Sequence, residues 1–234
     1  MQVFYAPDIT GEYYTLDERE SKHTVRVLRM VEGSEIKLID GKGNLYEGVI
    51  SEPDQRACKI RILNVIKGFE KRDYSLHIAI SPLKNPERFE WFVEKSVEIG
   101  IDEITPVICQ HTEKQGLKPE RLNKIIISAM KQSLKASSTK LNPARKFDDF
   151  IISLKPGIPM IAHCNDDYER KSIGEVYRKG SDAVILIGPE GDFSEEEILK
   201  AANNGYMPVS LGKSRLRTET AGVSACHSIY FINQ

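Results

Sequence analysis

The sequence predicts an α/β chain of two domains, a small β-barrel over residues 1–72 and a mostly parallel α/β domain over residues 73–234. Three observations carry this. The first part holds short alternating runs separated by turn residues, the pattern of a small barrel. Lys67 to Asp73 (Lys-Gly-Phe-Glu-Lys-Arg-Asp) is polar and aperiodic, which marks a boundary. Beyond it, apolar runs of strand length alternate with helical patterns, which implies a mostly parallel sheet.

In the first domain, Glu35 to Ile39 alternates, Asp40-Gly41-Lys42-Gly43-Asn44 is a dense turn signal, and Leu45 to Ile50 resumes as a strand, so the three form a hairpin. Cys58 to Leu63 alternates again, and a helix is predicted over Glu20 to Met30. In the second domain His77 to Ile80 is the first strand. Asn85, Pro86 and Glu87 then open a helix as cap, first position and first-turn acid, and Gly100 closes it. Phe89, Phe92, Val93, Ser96 and Val97 share its inner face. Further strands are expected at 104–108, 158–162, 183–187 and 208–211, and helices at 120–136 and 220–231. Ser194 with Glu197 reads as a capping box.

Composition sets limits. The 234 residues carry 33 Lys+Arg against 34 Asp+Glu, so no global charge announces a partner. No run of 18 or more apolar residues occurs, and Met1-Gln2-Val3-Phe4 does not open a signal peptide, so a cytoplasmic protein with no membrane contact is expected. The four cysteines, Cys58, Cys109, Cys164 and Cys226, lack CxxC spacing and read as small hydrophobes; no metal is expected from His163-Cys164 or Cys226-His227.

The near-zero net charge hides an asymmetry. Between Lys114 and Lys146 lie roughly nine Lys/Arg and one acid, Glu120. Arg121, Lys124, Ser128, Lys131 and Lys135 fall on one helical stripe, opposite Leu122, Ile126, Ala129, Met130 and Ser133. A solvated face is the ordinary explanation, but such faces mix signs, and this one points to an anionic partner such as nucleic acid. His23, Arg26 and Arg29, three residues apart, form a second basic cluster on one face of the first predicted helix.

The chemistry-bearing segments lie near the C-terminus. Ile185-Leu186-Ile187 runs into Gly188-Pro189-Glu190-Gly191, and Val209-Ser210-Leu211-Gly212 is followed by Arg215-Leu216-Arg217-Thr218-Glu219-Thr220-Ala221. Neither is a P-loop or a G-x-G-x-x-G turn. The first alone also reads as a plain strand-to-helix turn, and in the second Thr218 or Thr220 also reads as a helix cap. A cap does not need Arg217 or Glu219, however, and loops at strand C-termini are where open α/β sheets bind ligands.

Together these segments resemble the SPOUT methyltransferases, and the wording GPEG then LG-x-x-x-LRTETA is similar to the RsmE branch. His23-x-x-Arg26-Val27-Leu28-Arg29 matches that family's H-x-x-RVLR, and Lys84, Glu90, Lys95, Glu98 and Gly100 match its spacing in the first helix of the second domain. Lys131-Gln132-Ser133-Leu134-Lys135 departs from its EQS-R pattern. The resemblance implies a PUA-like first domain and a SPOUT second domain with a trefoil knot, and a homodimer with active sites at the subunit interface. It also implies methylation of N3 of a uridine in the decoding region of 16S rRNA in the small ribosomal subunit, with S-adenosylmethionine as cofactor. On it, the cofactor is held by His163, by Ile187, Gly188, Pro189, Glu190 and Gly191, by Leu211 and Gly212, and by Leu216, Thr218, Thr220 and Ala221. Arg217 stabilises the uracil anion or orients the base, and Glu219 fixes Arg217 in a bidentate pair. RNA contacts fall to His23, Arg26, Arg29, Lys84, Arg121, Lys124, Lys131 and Lys135. A SPOUT enzyme acting on another RNA, or a catalytically silent RNA-binding member, are the rival readings.

Overall fold

The structure, a computed structural model, describes residues 3–113, 116–153 and 156–234; Met1, Gln2 and Lys114 lie outside them. Contacts divide the chain into two compact units, 1–71 with 127–138, and 72–126 with 139–234.

The first unit is a five-stranded sheet in the order β1-β3-β4-β5-β2, with β1 (Val3–Tyr5), β2 (Tyr13–Thr15), β3 (Glu35–Ile39), β4 (Asn44–Glu52) and β5 (Lys59–Lys67). β1 lies parallel to β3, and the other pairs are antiparallel. The β3–β4 turn forms as expected: Asp40 Oδ1 accepts the amides of Lys42 (2.7 Å) and Asn44 (3.0 Å). Phe4, Leu38, Ile50 and Ile60 fill the core. The helix differs from expectation. It starts earlier, as α1 (Glu18–Lys22), because Asp17 caps it by accepting the Glu20 amide at 2.7 Å. It then widens into a π-helical turn over His23–Val27.

Residues 127–138 belong to this unit through buried contacts. Met130 and Ala136 are buried, the Gly43 amide donates to Ala136 O (3.0 Å), and the Ser138 amide donates to Gly41 O (2.9 Å). A chain cut before Asp73 would leave this segment without its partners. We expect such a fragment to lose amide protection over 127–138 in hydrogen exchange, while the strands of the second unit keep theirs.

The second unit is a parallel sheet in the order β11-β13-β10-β12-β6-β7-β8, with β9 also pairing with β7. The central strands are β6 (Leu76–Ile80), β7 (Glu103–Ile108), β10 (Ile158–Ala162), β12 (Ala183–Ile187) and β13 (Met207–Ser210). The short strands are β8 (Lys140–Leu141), β9 (Arg145–Lys146) and β11 (Lys171–Ser172). β12 is buried at all five positions, as a central parallel strand covered on both faces must be. One face carries Val184, Leu186, Phe147, Phe150 and Ile198, from β12, α4 (Phe147–Ile151) and α6 (Glu195–Asn203). The other carries α2 (Pro86–Ile99), capped by Asn85 and closed by Gly100 at φ 120°, and α7 (Thr218–Ile232). There the ring of Phe92 and the side chain of Ile80 close on the bare Cα of Gly222. The remaining helices are α3 (Pro119–Ser133) and the single turn α5 (Ile173–Val176). α3 stops at Ser133, not Ala136, because Leu134 turns to φ 60°. Among the described residues no helix is long and apolar enough to cross a membrane.

Candidate active site

Three neighbouring parallel strands end together. Ala162 of β10 pairs in register with Ile187 of β12 and with Val209 of β13, so the loops after all three open at one sheet edge. Between them lies a cavity of about 300 Å³. Its walls are the GPEG loop (Ile187, Gly188, Pro189, Glu190), the second loop (Arg215 to Thr218, with Ala221), and Ala162, Cys164 and Asp192. A larger, more polar cleft of about 830 Å³ adjoins it and shares Cys164, Asp192 and Arg215.

The fold places the anticipated residues unevenly. Ile187, Gly188, Pro189, Glu190, Leu216, Arg217, Thr218 and Ala221 line the smaller cavity; Gly191, Leu211 and Thr220 do not. Gly212, at φ 121°, lines the cleft. Thr218 is not a cap: α7 begins at Thr218, Arg217 holds the cap position, and among the described residues no side-chain cap hydrogen bond is made there. The first-turn amides remain free to donate. His163 is not among the residues that line the cavity. Its neighbours Ala162 and Cys164 face the cavity, while its ring packs edge-on against Tyr168 at 5.9 Å. Burial lowers the pKa of the imidazole.

The expected Arg217–Glu219 pair does not form. Glu219 is buried and its carboxylate approaches Arg88 Nε of α2 at 3.7 Å, leaving Oε2 with no partner. In the α7 first turn, Glu219 faces α2 while Arg217 and Thr218 face the cavity.

Glu190 Oε1 accepts the Lys84 amide at 3.1 Å, which ties the GPEG loop to the segment after β6, and the Lys84 ammonium pairs with Glu113 at 2.8 Å. Glu113 raises the Lys84 pKa. The single-sign reading of the α3 stripe does not hold in three dimensions. Arg121 pairs with Glu90, Lys131 with Glu20 (2.8 Å) and Lys135 with Glu70 (3.3 Å), and Lys124 is left exposed. The other basic cluster also departs from a helical face: Arg26 sits in the π-helical turn, and Arg29 lies beyond it at φ 55°. Both are exposed.

Residues 70–230 match the family model described as RNA methyltransferase domain, and residues 16–63 match the RNA methyltransferase PUA domain. The chain belongs to the RNA methyltransferase family. Within it, the chain groups with proteins called ribosomal RNA small subunit methyltransferase E. The one from Aquifex aeolicus is 26% identical over 229 residues, covering 96% of each chain. Among solved structures, a probable rRNA-methyltransferase from Porphyromonas gingivalis is 41% identical, with a TM-score of 0.93 over 100% of this chain and 98% of that one. The ribosomal RNA small subunit methyltransferase E from Neisseria gonorrhoeae, solved bound to S-adenosyl methionine, is 26% identical with a TM-score of 0.85, covering 99% and 98%. The two-part architecture is therefore a PUA-like domain followed by a SPOUT methyltransferase domain.

For this methyltransferase, sequence reasoning missed Ala162, Cys164, Asp192 and Arg215 as cavity walls. A signal existed for Asp192: an Asp directly after a glycine turn is among the few non-glycine residues that accept positive φ, and here φ is 64°. Gly188 is explained differently from expectation. Its backbone does not need positive φ; a Cβ there would meet the ring of buried Phe193 at 3.1 Å and its amide at 3.2 Å. Gly188→Val therefore displaces Phe193 and with it Asp192. We expect it to lower cofactor affinity by at least an order of magnitude in calorimetry while far-UV dichroism stays native.

Proposed function

We propose that the chain methylates N3 of a uridine in the decoding region of 16S rRNA, on the assembled small ribosomal subunit in the cytoplasm, with S-adenosylmethionine as methyl donor. The observation that carries this is the cavity shared by the GPEG and LRTETA loops at the ends of three parallel strands.

The residues present suit that donor. The cavity lies at the small end of the range for ligand sites of about 300–1,000 Å³. Ile187, Leu216 and Ala221 offer apolar walls to an adenine, and the uncapped first-turn amides of α7, with the Thr218 hydroxyl, offer hydrogen bonds to its edge. S-adenosylmethionine supplies, when bound, an electrophilic methyl on a cationic sulfur. The protein's part is to hold the uracil in line, to exclude water, and to favour the base with its N3 proton removed. Arg217, an exposed cation on the cavity wall, is the group assigned to the uracil anion. Glu219 is assigned a positioning role: through Arg88 it fixes the first turn of α7, and so the backbone that carries Arg217.

RNA contacts are assigned to His23, Arg26 and Arg29, and to Lys84, Arg121, Lys124, Lys131 and Lys135. The ion pairs on α3 do not oppose this, because surface pairs contribute only about 0–1 kcal/mol and exchange readily for phosphate. A trefoil knot fits the strand order. β13 lies beyond β10, while α7 packs back on β6, β12 and α2, an arrangement compatible with such a knot. A homodimer is proposed with it. Transfer of labelled methyl from S-adenosylmethionine to intact small subunits, compared with free rRNA and with tRNA, tests the reading. Incorporation into subunits supports it, and incorporation into tRNA alone would favour the rival SPOUT reading.

A further inference from the structure

Asp192 stands at the junction of the two hollows. It is one of three residues, with Cys164 and Arg215, that line both the smaller cavity and the open cleft. If the cofactor fills the cavity, the Asp192 carboxylate stands on its wall, at the side that opens to the cleft. The proposal therefore rests on the cofactor reading above.

The side chain is held there deliberately. Its Oδ2 accepts the Cys164 amide at 2.7 Å, from the loop after β10, and its Oδ1 accepts the Phe193 amide at 2.8 Å. Its own carbonyl lies 3.0 Å from His111 Nδ1. The backbone takes φ 64°, a conformation glycine would adopt without strain. The other acidic groups nearby are engaged elsewhere: Glu190 is exposed and accepts the Lys84 amide, and Asp166 pairs with Arg170 at 2.5 Å. The remaining charges on these walls are the cations Arg215, Arg217, Arg170 and Lys213. A cationic ligand entering a wall so rich in cations needs a fixed anion beside it, and each oxygen of Asp192 keeps a lone pair after its amide bond.

We propose that Asp192 sets the preference of this site for a cationic methyl donor over its uncharged thioether product. The sulfonium gains from the carboxylate, and the product, having lost its charge with the methyl, does not. The same residue then favours product departure after each turnover.

Calorimetry on the full-length protein tests this with three ligands: S-adenosylmethionine, S-adenosylhomocysteine, and an analogue in which a protonated amine-bearing carbon replaces the sulfonium. Asp192→Asn keeps the shape and can still accept the Cys164 amide; Asp192→Gly relieves the positive φ. In both, the two cationic ligands should weaken by about tenfold relative to S-adenosylhomocysteine, so that the preference narrows or vanishes. Parallel weakening of all three ligands would reduce Asp192 to a loop tie and overturn the proposal. So would an unchanged preference in the glycine variant. A parent protein that binds none of the three ligands would overturn the cofactor reading itself, and is told apart because no variant is needed to see it.

Discussion

Gly222→Val is expected to give a protein that melts far below the parent and has lost its cofactor site. A Cβ at Gly222 would stand 2.6 Å from two ring carbons of Phe92 and 3.0 Å from Ile80 Cδ1. Neither neighbour has room to yield, since both are fully buried. Alanine already creates this clash, so the usual gain of about 1 kcal/mol for Gly→Ala inside a helix is opposed by overpacking of about 1–3 kcal/mol. Valine adds two further methyl groups to the same space. A protein of this size loses about 2–4 °C per kcal/mol. The functional loss follows from geometry: α7 lies against α2 in parallel, with Gly222 at Phe92 and the Cys226 thiol directed at Ser96 O (3.8 Å), and lifting it moves Thr218 and Ala221 off the cavity wall. Thermal melts with and without S-adenosylmethionine check this. An alanine variant more stable than the parent would show that the α2–α7 contact has slack.

Arg217→Ala should fail in a different way from Lys131→Ala/Lys135→Ala. Arg217 lines the cavity, so its loss should lower the single-turnover methylation rate about 10²-fold, the usual cost of removing one group that stabilises a developing anion, with RNA affinity little changed. Lys131 on α3 and Lys135 just beyond its end are half-buried and paired with Glu20 and Glu70. On the proposed RNA contacts, their loss removes two phosphate partners and leaves the carboxylates of Glu20 and Glu70 without these lysines. Binding should weaken, and the slope of log K against log salt should flatten by about 0.7–0.9 per contact, with the saturated rate preserved. Adding Glu20→Gln and Glu70→Gln to the double lysine variant should restore part of the affinity and none of the slope. A normal saturated rate in Arg217→Ala would remove that residue from the chemistry, and an unchanged slope would return the α3 stripe to a solvated, internally neutralised face.

What was legible in the sequence is what short-range physics determines. β10 and β12 appear at the anticipated residues, because a five-residue apolar run bounded by turn residues has few other ways to bury itself. Asn85 and Gly100 likewise close α2 where expected, because caps act through neighbouring backbone groups. Contacts between distant segments were not legible. The partners of Lys131 and Arg121 lie 111 and 31 residues away, so the stripe looked unbalanced in one dimension. Sequence proximity pairs Glu219 with Arg217, whereas helix α7 turns it toward Arg88. His163 follows directly on the end of β10, but its ring packs against Tyr168 and only its neighbours Ala162 and Cys164 line the cavity. The two-residue strands β8, β9 and β11 are too short to carry any period.

The identity of the methylated atom decides the proposed function. Small ribosomal subunits from a strain lacking the gene, incubated with the purified protein and S-adenosylmethionine, should yield one new modified nucleoside. After digestion, mass spectrometry should identify it as 3-methyluridine and map it to a single position in the decoding region of 16S rRNA. A methyl found on a ribose 2′-oxygen, on another base, or at N3 outside that region would contradict the account.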